Sequence, residues 1–402
     1  MLAPTEQATI AAVIQDMFAI DRPIYPIGGG TSSAYGLPAT RPGIPLDLSV
    51  INRVIDYPSR DMTITVEAGI TMAALAETLV AERQRLPIDV PQADRATLGG
   101  VIATNWSGPL RYGHGTIRDY VIGISAVDGR GTPFKGGGRV VKNVAGYDFC
   151  KLLTGSLGTL GVVTQATLKV KPIPEQSALV ACRVKDVEQA ERLLAALVTS
   201  QTTPAAIELV AGPAWSDDPA LAPLASGEFG HLIVALEGTG PEVDWMKATL
   251  VSELHAQRAE AAIVADERSP SLWQRLREFS AGEAALVVKA NVPPSRTVEM
   301  IRLLKDAAPD YSIQAHAGNG IILARYSTFP TGGVSRILVG RLQPAVQNAG
   351  GNLIVLSSTL SGELTRQAVW GATASAAMLM EAVKEQFDPK NLLNPGRFVY
   401  GA

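Results

Sequence analysis

The residue types best suited to chemistry form a glycine run near the N-terminus. Pro26-Ile27-Gly28-Gly29-Gly30-Thr31-Ser32 places three glycines between a short apolar segment and two hydroxyl side chains. Glycines let a ligand approach the backbone closely, so a run of them can turn several N–H groups toward one phosphate. A tight turn without a ligand explains the same residues, because the run lacks the lysine of a P-loop and the GxGxxG spacing.

Two later loops have a similar composition. Thr97-Leu98-Gly99-Gly100 lies within residues 91–119, a stretch with little periodicity that predicts a long loop. A loop of this length favours a binding role, and an Ω-like loop packed on itself is an equal alternative. The other loop is Gly155-Ser156-Leu157-Gly158-Thr159-Leu160-Gly161-Val162-Val163-Thr164, which leads into an alternating strand.

The elements around these loops predict an α+β fold. Residues 5–19 have helical spacing and lead into a short strand before the glycine run. Residues 63–68 alternate polar and apolar side chains, and residues 72–83 return to helical spacing. Strand, turn, strand and helix therefore alternate in the first part of the chain.

A different rhythm begins after Pro172 and Pro174. Strand and helix patterns then repeat as tandem βαβ units, which is typical of a ferredoxin-like α/β sandwich. We expect a first domain at residues 1–174, with subdomains at about 1–56 and 57–174, and a cap or substrate domain at 175–370. Residues 371–402 are expected to return to the first domain.

Composition excludes several classes of protein. The 402 residues are 47% hydrophobic and 18% charged with a formal net charge of −3, so we expect a folded protein that does not bind nucleic acid. The first 20 residues contain Glu6 and Asp16 but no lysine or arginine, which argues against a signal peptide, and no apolar stretch is long enough to span a membrane. Cys150 and Cys182 are too few for an iron–sulfur cluster and are expected in the core. We expect a cytoplasmic protein, either free or peripheral to the inner membrane through its partners.

The order and spacing of the three glycine loops resemble the flavin-binding domain of the vanillyl-alcohol oxidase and p-cresol methylhydroxylase (PCMH) family. Phe387-Asp388-Pro389 and Asn394-Pro395-Gly396-Arg397 resemble that family's closing segment. Within the family, the chain resembles the smaller flavin subunits, called E, of bacterial glycolate oxidases, and we expect this resemblance to cover most of the chain. The segments that carry it are Ser107-Gly108-Pro109-Leu110-Arg111, Arg118-Asp119-Tyr120-Val121-Ile122-Gly123 and Lys142-Asn143-Val144-Ala145-Gly146-Tyr147-Asp148.

The resemblance implies a two-subdomain PCMH-type FAD-binding domain, followed by a ferredoxin-like cap. FAD would lie extended, with its pyrophosphate on Gly28–Ser32 and Thr97–Gly100, its adenine near Val162 and Val163, and its ring toward Asn105 and Gly108. The cofactor-binding residues implied are Pro26, Gly28, Gly29, Gly30, Thr31, Ser32, Gly36, Pro91, Thr97, Leu98, Gly99, Gly100, Asn105, Ser107, Gly108, Ser156, Gly161, Val162 and Val163.

The same resemblance bears on how the flavin is attached. Some family members tether it to a histidine or cysteine, but residues 28–36 contain neither, so we expect non-covalent FAD. His114 is a candidate for a rare tether or, alternatively, a polar residue of the loop wall.

Catalytic residues are not assigned by the sequence. His316-Ala317-Gly318-Asn319-Gly320 resembles a shortened HAGDGNxH motif, with which lactate- and glycolate-oxidising relatives place a metal or a base. Asn319 replaces the acidic residue and Leu323 the second histidine, so we expect no metal and a structural or pocket role for His316. Oxidation of a 2-hydroxy acid needs a base and a cation for the carboxylate. The candidates are His316, Lys289, Arg325 and Arg111, with Arg118 as a further cation, and a surface or ion-paired role is the alternative for each cation.

Three functions follow from the resemblance. The first is an FAD subunit of a glycolate oxidase or dehydrogenase complex, in which glycolate becomes glyoxylate and electrons pass to a larger FAD-binding subunit and an iron–sulfur subunit. The missing second histidine favours an accessory flavin within that complex. The alternatives are an independent FAD-linked oxidase or dehydrogenase of another 2-hydroxy acid or alcohol, and an assembly protein without a working flavin.

Overall fold

The computed structural model describes residues 1–138, 146–224, 229–329, 333–360, 364–372 and 375–397. The chain forms two compact units, the first from residues 1–107, 115–173 and 372–402 and the second from residues 108–114 and 174–371. The segment 108–114, which the sequence analysis puts in the first domain, therefore groups with the second unit. Most of the Lys142–Asp148 motif lies outside the described residues.

The first unit combines short helices with three small sheets. Its helices are α1 (Gln7–Ala19), α2 (Met72–Val80), α3 (Leu98–Thr104), α5 (Ile117–Tyr120), α6 (Phe149–Leu153) and α14 (Ala377–Phe387). Its strands are β1 (Ile24–Ile27), β2 (Ile44–Asp47), β3 (Val54–Asp56), β4 (Thr63–Glu67), β5 (Gln84–Arg85), β6 (Val121–Val127), β7 (Pro133–Gly137), β8 (Val162–Lys169) and β9 (Lys171–Pro172).

Two sheets of this unit flank the glycine run. In the described residues, one has five antiparallel strands in the order β3-β4-β8-β6-β7, and β1 and β2 form a parallel pair. Helix α1 covers both sets, because Ile10 and Ile14 share a core with Leu46, Val127 and Val162. The glycine run starts where β1 ends at Ile27, so this packing fixes the base of the run.

The region 91–119 is more regular than its composition predicts. Leu98–Thr104 is helical, and the Thr97 side chain accepts a hydrogen bond from Gly100 N at 3.4 Å as its N-terminal cap. Gly99 packs against Ala68, where an added Cβ would lie 3.0 Å from the Ala68 Cβ. Gly99, one of the glycines that favour a loop in sequence terms, is here required for close packing, which is why the loop prediction was wrong for this helix.

The C-terminal segment of the first unit is anchored by a buried ion pair. Lys384 Nζ lies 2.6 Å from Asp388 Oδ2 and donates to the carbonyl oxygen of Thr159 at 2.8 Å. Burial lowers the pKa of Lys384, and Asp388 opposes that change. Leu393 then forms a parallel bridge to Ile24 of β1. These contacts bring the far end of the chain to the strand that precedes the glycine run.

The second unit is built on one large sheet. Its strands are β10 (Gln176–Val184), β11 (Ala206–Ala211), β12 (Gly230–Gly238), β13 (Ala261–Ile263), β14 (Leu286–Asn291), β15 (Tyr311–His316), β16 (Ile321–Tyr326) and β17 (Asn352–Ser358). Its helices are α4 (Arg111–His114), α7 (Val187–Val198), α8 (Gly240–Ala256), α9 (Ser269–Glu278), α10 (Thr297–Lys305), α11 (Val334–Ile337), α12 (Gln343–Asn348) and α13 (Arg366–Trp370), with a π-helical turn at Leu338–Leu342.

The strand order of this sheet is that of two ferredoxin-like halves. In the described residues the order is β13-β10-β12-β11-β15-β16-β14-β17, with every pairing antiparallel. Each half has its first and third strands in the middle, as in a split βαβ unit, and the halves join where β11 pairs with β15. The ferredoxin-like prediction is therefore confirmed, with two halves forming a continuous sheet.

The two faces of this sheet differ in chemistry around the β11–β15 junction. Leu209, Val288, Ala315 and Ile322 point to the face that shares a core with the helices. Neighbouring residues on each strand point to the opposite face, since side chains alternate along a strand. That opposite face carries the polar residues considered below.

Both cysteines are buried, as expected. Burial raises the pKa of the Cys150 thiol to about 11 and that of Cys182 to about 12, so neither is a reactive thiolate at neutral pH. Among the described residues, the helices all fall short of the length and apolar character needed to cross a membrane.

Candidate functional site

The first unit contains a cavity of about 400 Å³ around the glycine run. Its walls come from the end of β1, the residues after it, the start of α3, the loop before β8 and the C-terminal segment. The lining residues are Tyr25, Pro26, Ile27, Gly28, Gly29, Gly30, Thr31, Ser32, Ser33, Tyr35, Ala39, Pro45, Leu48, Ala68, Thr97, Gly99, Gly100, Ala103, Thr104, Leu157, Gly158, Gly161, Val162, Val163, Asn394 and Arg397.

The structure brings most of the sequence candidates for cofactor binding to this cavity. Those that line it are Pro26, Gly28, Gly29, Gly30, Thr31, Ser32, Thr97, Gly99, Gly100, Gly161, Val162 and Val163. The candidates outside the lining are Gly36, Pro91, Leu98, Asn105, Ser107, Gly108 and Ser156, and of these Gly108 belongs to the second unit. Asn394 and Arg397 also line the cavity, but they are not among the cofactor-binding residues predicted from the sequence. The resemblance of their segment to the family's closing segment could have indicated them.

Close backbone packing explains the glycines of the cavity wall. A Cβ on Gly28 would lie 2.1 Å from Thr97 Oγ1, and a Cβ on Gly29 would lie 1.6 Å from the carbonyl oxygen of Arg95. Side chains at these positions would push the run away from the start of α3. The run and α3 are thus held together as a wall of exposed backbone, an arrangement that suits a phosphate-containing ligand.

Two candidates outside the lining have buried polar atoms. Asn105 Oδ1 and Ser156 Oγ have no hydrogen-bond partner among the described residues. Asn105 ends α3 in a left-handed conformation with φ of 49°, next to Gly155. Trp106 is buried beside Tyr35, with ring centroids 6.2 Å apart, so it packs within the first unit.

A row of polar side chains crosses the second unit's sheet on the face opposite the core that the sheet shares with α7, α8 and α10. Gln314 lies opposite Leu323, and Leu323 lies opposite Lys289 on the next strand. Glu208 lies opposite His316, which is two residues beyond Gln314 and so points to the same face. We call Glu208, Lys289, Gln314 and His316 the polar strip.

A buried histidine–carboxylate pair forms one end of the polar strip. His316 Nδ1 lies 2.7 Å from Glu208 Oε1, and Gln314 Nε2 donates to Glu208 Oε2 at 2.8 Å. The side chains of His316 and Glu208 are 2% and 1% exposed. A carboxylate facing Nδ1 selects the tautomer with its proton there, which leaves Nε2 as an acceptor. Nε2 has no hydrogen-bond partner among the described residues.

Glu208 supplies what the shortened motif lacks. The sequence alone predicts a structural or pocket role for His316, because Asn319 stands in place of the acidic residue of the motif. The structure provides a carboxylate from a neighbouring strand, which no local pattern could reveal because Glu208 is 108 positions away. The pair has the arrangement of a base held by a carboxylate.

Lys289 forms the other end of the polar strip. Burial lowers the pKa of Lys289 to about 8, and the positive charge of Arg111 adds to this effect. Arg111 lies on α4, which is held to the second unit by a hydrogen bond from Gly113 N to the carbonyl oxygen of Ala205 at 2.9 Å. Two cationic groups are thus concentrated near one point, a suitable place for a carboxylate.

The remaining candidates have other roles in the structure. Arg325 donates hydrogen bonds to the carbonyl oxygens of Phe279 and Glu283 at 3.0 and 2.6 Å. His114 Nε2 lies 2.8 Å from Glu237 Oε2. Arg118 is exposed on α5 in the first unit. The structure therefore brings His316, Lys289 and Arg111 together in one unit, and it engages Arg325 with backbone carbonyls.

Two family models match the chain. The model described as an FAD binding domain matches residues 1–137, and that of the C-terminal domain of FAD linked oxidases matches residues 173–332 and 370–398. Together they span most of both units. The chain is thus similar to the FAD-binding PCMH-type family along both units.

Known relatives are similar to this chain along its length. The glycolate oxidase subunit GlcD of Bacillus subtilis is 26% identical over 99% of this chain and 88% of its own. A mitochondrial D-lactate dehydrogenase [cytochrome] of Arabidopsis thaliana is 26% identical over 98% of this chain and 72% of its own. The crystal structure of p-cresol methylhydroxylase with substrate bound has a TM-score of 0.72, with 16% identity over 98% of this chain and 87% of that one. The predicted PCMH-type α+β fold is thereby confirmed.

The resemblance to the E subunit is narrower than expected. The glycolate oxidase subunit GlcE of Escherichia coli is 37% identical over 153 residues, which is 38% of this chain and 43% of its own. The expectation that this resemblance covers most of the chain is corrected by that match. Similarity to the D subunit is lower in identity but extends over nearly the whole sequence.

FAD is the cofactor of this protein, and the protein is an oxidoreductase. The cavity fits the cofactor, since its exposed glycine backbone and the hydroxyls of Thr31, Ser32 and Thr97 provide donors for phosphate. Among the described residues, no histidine or cysteine lines the cavity. Non-covalent attachment remains a prediction.

Proposed function

We propose that this protein oxidises a short 2-hydroxy acid, with glycolate to glyoxylate as the leading reaction, as the FAD-binding subunit of a glycolate oxidase or dehydrogenase complex. The relatives named for glycolate and D-lactate support this substrate class, since both compounds carry a hydroxyl next to a carboxylate. Partners in such a complex would be a second FAD-binding subunit and an iron–sulfur subunit.

The polar strip is the observation that carries the proposal. Lys289, supported by Arg111, offers positive charge for the carboxylate of the substrate. His316 Nε2 is an acceptor held in place by Glu208, so it can take the proton of the substrate hydroxyl. A base and a cation on one sheet face meet the two requirements of 2-hydroxy acid oxidation.

The reaction balances with these residues and the cofactor. The substrate loses its hydroxyl proton to His316 Nε2 and the hydrogen on its carbinol carbon with two electrons, and a carbon–oxygen double bond forms. When bound, FAD supplies the acceptor for that hydrogen and its two electrons. In the proposed complex, the electrons would pass to a partner subunit that holds an iron–sulfur cluster, which the two cysteines of this chain are too few to ligate.

An independent FAD-linked dehydrogenase is the second candidate. The polar strip favours chemistry on this chain over the accessory flavin that the shortened motif favours, because the chain has its own base and cation. Similarity to a D-lactate dehydrogenase over 98% of the chain supports the same view. The two candidates differ in the need for partners.

A substrate panel with an artificial acceptor tests the proposal. The FAD-loaded chain would be assayed with glycolate, D-lactate and L-lactate, alone and after co-purification of the tagged chain from its host. Iron–sulfur absorption in the co-purified material, with turnover of glycolate, is the expected result. Full turnover by the chain alone with an acceptor from its host would favour the independent enzyme, and no turnover of any 2-hydroxy acid by either preparation would contradict the proposal.

A pair of histidine variants tests the base. His316→Gln is expected to lower kcat by about 100-fold or more, since it removes the proton acceptor. His255→Gln is the matched control, because His255 is exposed on α8, where its Nε2 lies 3.2 Å from the carbonyl oxygen of Ala261. Equal kcat in the two variants would show that His316 is not the base.

A further inference from the structure

The wall of the cofactor cavity contains one charged side chain among its described residues. The other lining residues are glycines, apolar side chains, hydroxyl-bearing side chains and Asn394, and no aspartate or glutamate is among them. The charged side chain is Arg397. A cavity with one cation and no anion in its wall favours a ligand with negative charge.

The surroundings of Arg397 hold its guanidinium without neutralising it. Arg397 Nη1 donates to the carbonyl oxygen of Tyr35, another residue of the cavity wall. No carboxylate pairs with Arg397 among the described residues, and burial lowers its pKa. An arginine that is partly desolvated without an acidic partner is costly unless an anion completes its hydrogen bonds.

The backbone before Arg397 is fixed to the cavity wall. Asn394 Nδ2 donates to the carbonyl oxygen of Leu157 at 2.9 Å, and Asn394 N donates to the carbonyl oxygen of Ile24 at 3.0 Å. Arg397 N in turn donates to the carbonyl oxygen of Asn394 at 3.0 Å. These bonds position Arg397 with little freedom, which reduces the entropy lost when it binds a ligand.

A second arginine near the glycine run differs in environment. Arg95 Nη2 donates to the carbonyl oxygen of Gly29 at 3.1 Å, but Arg95 is exposed and does not line the cavity. Water and salt screen an exposed charge more than a partly buried one. Arg397 is therefore the stronger candidate for contact with an anion.

We propose that Arg397 binds the diphosphate of FAD and supplies the positive charge that the glycine run lacks. The inference depends on FAD as cofactor and is independent of the substrate proposed above. A guanidinium matches phosphate oxygens with two parallel hydrogen bonds, whereas backbone N–H groups alone leave the charge of the diphosphate uncompensated.

The test is the affinity of the apoprotein for FAD, measured by quenching of flavin fluorescence without substrate. Arg397→Gln is expected to raise the Kd for FAD by about 10- to 100-fold, the range for a hydrogen bond to a charged group. Arg397→Lys is expected to lie between this variant and the wild type, because it keeps the charge and loses the planar fork. Loss of activity with unchanged FAD affinity would concern the substrate proposal alone.

Two control variants separate charge from tethering. Arg41 also holds the C-terminal segment, through the carbonyl oxygens of Lys390 and Asn391 at 3.3 and 3.4 Å, and it does not line the cavity. Arg41→Gln and Arg95→Gln are expected to keep the Kd within about threefold of wild type. Thermal unfolding of each apoprotein checks that it folds. If Arg397→Gln does not fold, the Kd of Arg397→Lys relative to wild type decides whether Arg397 contributes to FAD binding.

Three outcomes would overturn the inference. Arg397→Gln could bind FAD within about threefold of wild type, either control could weaken binding as much, or Arg397→Lys could bind no better than Arg397→Gln. The inference is supported if all variants fold, FAD affinity falls only in Arg397→Gln among the glutamine variants, and Arg397→Lys recovers part of that affinity.

Discussion

Lys289→Met is expected to stabilise the protein and weaken substrate binding at the same time. The pKa of Lys289 is lowered to about 8 by burial and by Arg111, against about 10.4 in an unfolded chain. Below pH 8 the lysine is charged in both states, so the folded state bears the full cost of burying the charge. Methionine has a similar length and no charge, and it removes that cost.

The magnitude follows from the pKa difference. A difference of about 2.4 units corresponds to about 3 kcal/mol. Lys289 is partly exposed, so solvent screening reduces the expected gain to about 1–3 kcal/mol at pH 7. Above pH 8 the folded protein releases the proton while the unfolded chain keeps it, and wild-type stability rises by up to about 1.4 kcal/mol per pH unit until about pH 10.4. The advantage of the variant therefore shrinks between pH 8 and pH 10.4.

The assay combines unfolding and kinetics. Urea unfolding of wild type and Lys289→Met at pH 7 and pH 9 gives the stability difference, and KM for glycolate with an artificial acceptor gives the effect on binding. KM is expected to rise at least tenfold, since a charge-assisted hydrogen bond is lost. Lys247→Met is the matched control, because Lys247 forms a 2.7 Å ion pair with Asp244 on α8. A variant less stable than wild type at pH 7, or with unchanged KM, would refute the reasoning.

Two further variants examine the histidine–carboxylate pair and the glycine wall. Glu208→Gln keeps the shape of the side chain but removes the charge that orients His316, so kcat is expected to fall about 100-fold in the same dye assay with little change in KM; unchanged kcat would exclude this role. Gly28→Ala is expected to raise the Kd for FAD at least tenfold in the fluorescence titration, because its Cβ would meet Thr97 Oγ1, and Thr97→Ala in the same protein should recover part of the loss. Failure of that second change to help would mean that the clash lies elsewhere.

The periodicity of apolar residues in the sequence predicts much of the fold. The helices Gln7–Ala19 and Met72–Val80 lie within residues 5–19 and 72–83, where helical spacing predicts them, because each buries one regular face. The helix at Leu98–Thr104 could not be predicted, since its two glycines carry no periodic signal and Gly99 is needed for the contact with Ala68. The spacing of apolar residues predicts a helix or strand only where that helix or strand buries one face at regular intervals.

The residues of the cofactor cavity could be predicted in part from the sequence, and those of the polar strip to a smaller extent. The glycines of the wall come from contiguous motifs, so their order along the chain was enough to associate them. The contact between Glu208 and His316 depends on how β11 pairs with β15. That pairing joins the two ferredoxin-like halves of the sheet, and no sequence motif spans both strands. Lys289 is one of several cations in the sequence, and what distinguishes it from Arg325 is the charge of Arg111 nearby and the bonds of Arg325 to backbone carbonyls.

The anchoring of the C-terminal segment has a consequence for the order of events during synthesis. The cavity needs Tyr25 near one end of the chain and Arg397 near the other, whereas residues 174–371 of the second unit are continuous. The ribosome releases the second unit's main segment before Leu393 can bridge to Ile24. We therefore expect the second unit to fold while the cofactor cavity of the first unit is still incomplete. FAD would then bind late, and apoprotein would accumulate when FAD is scarce.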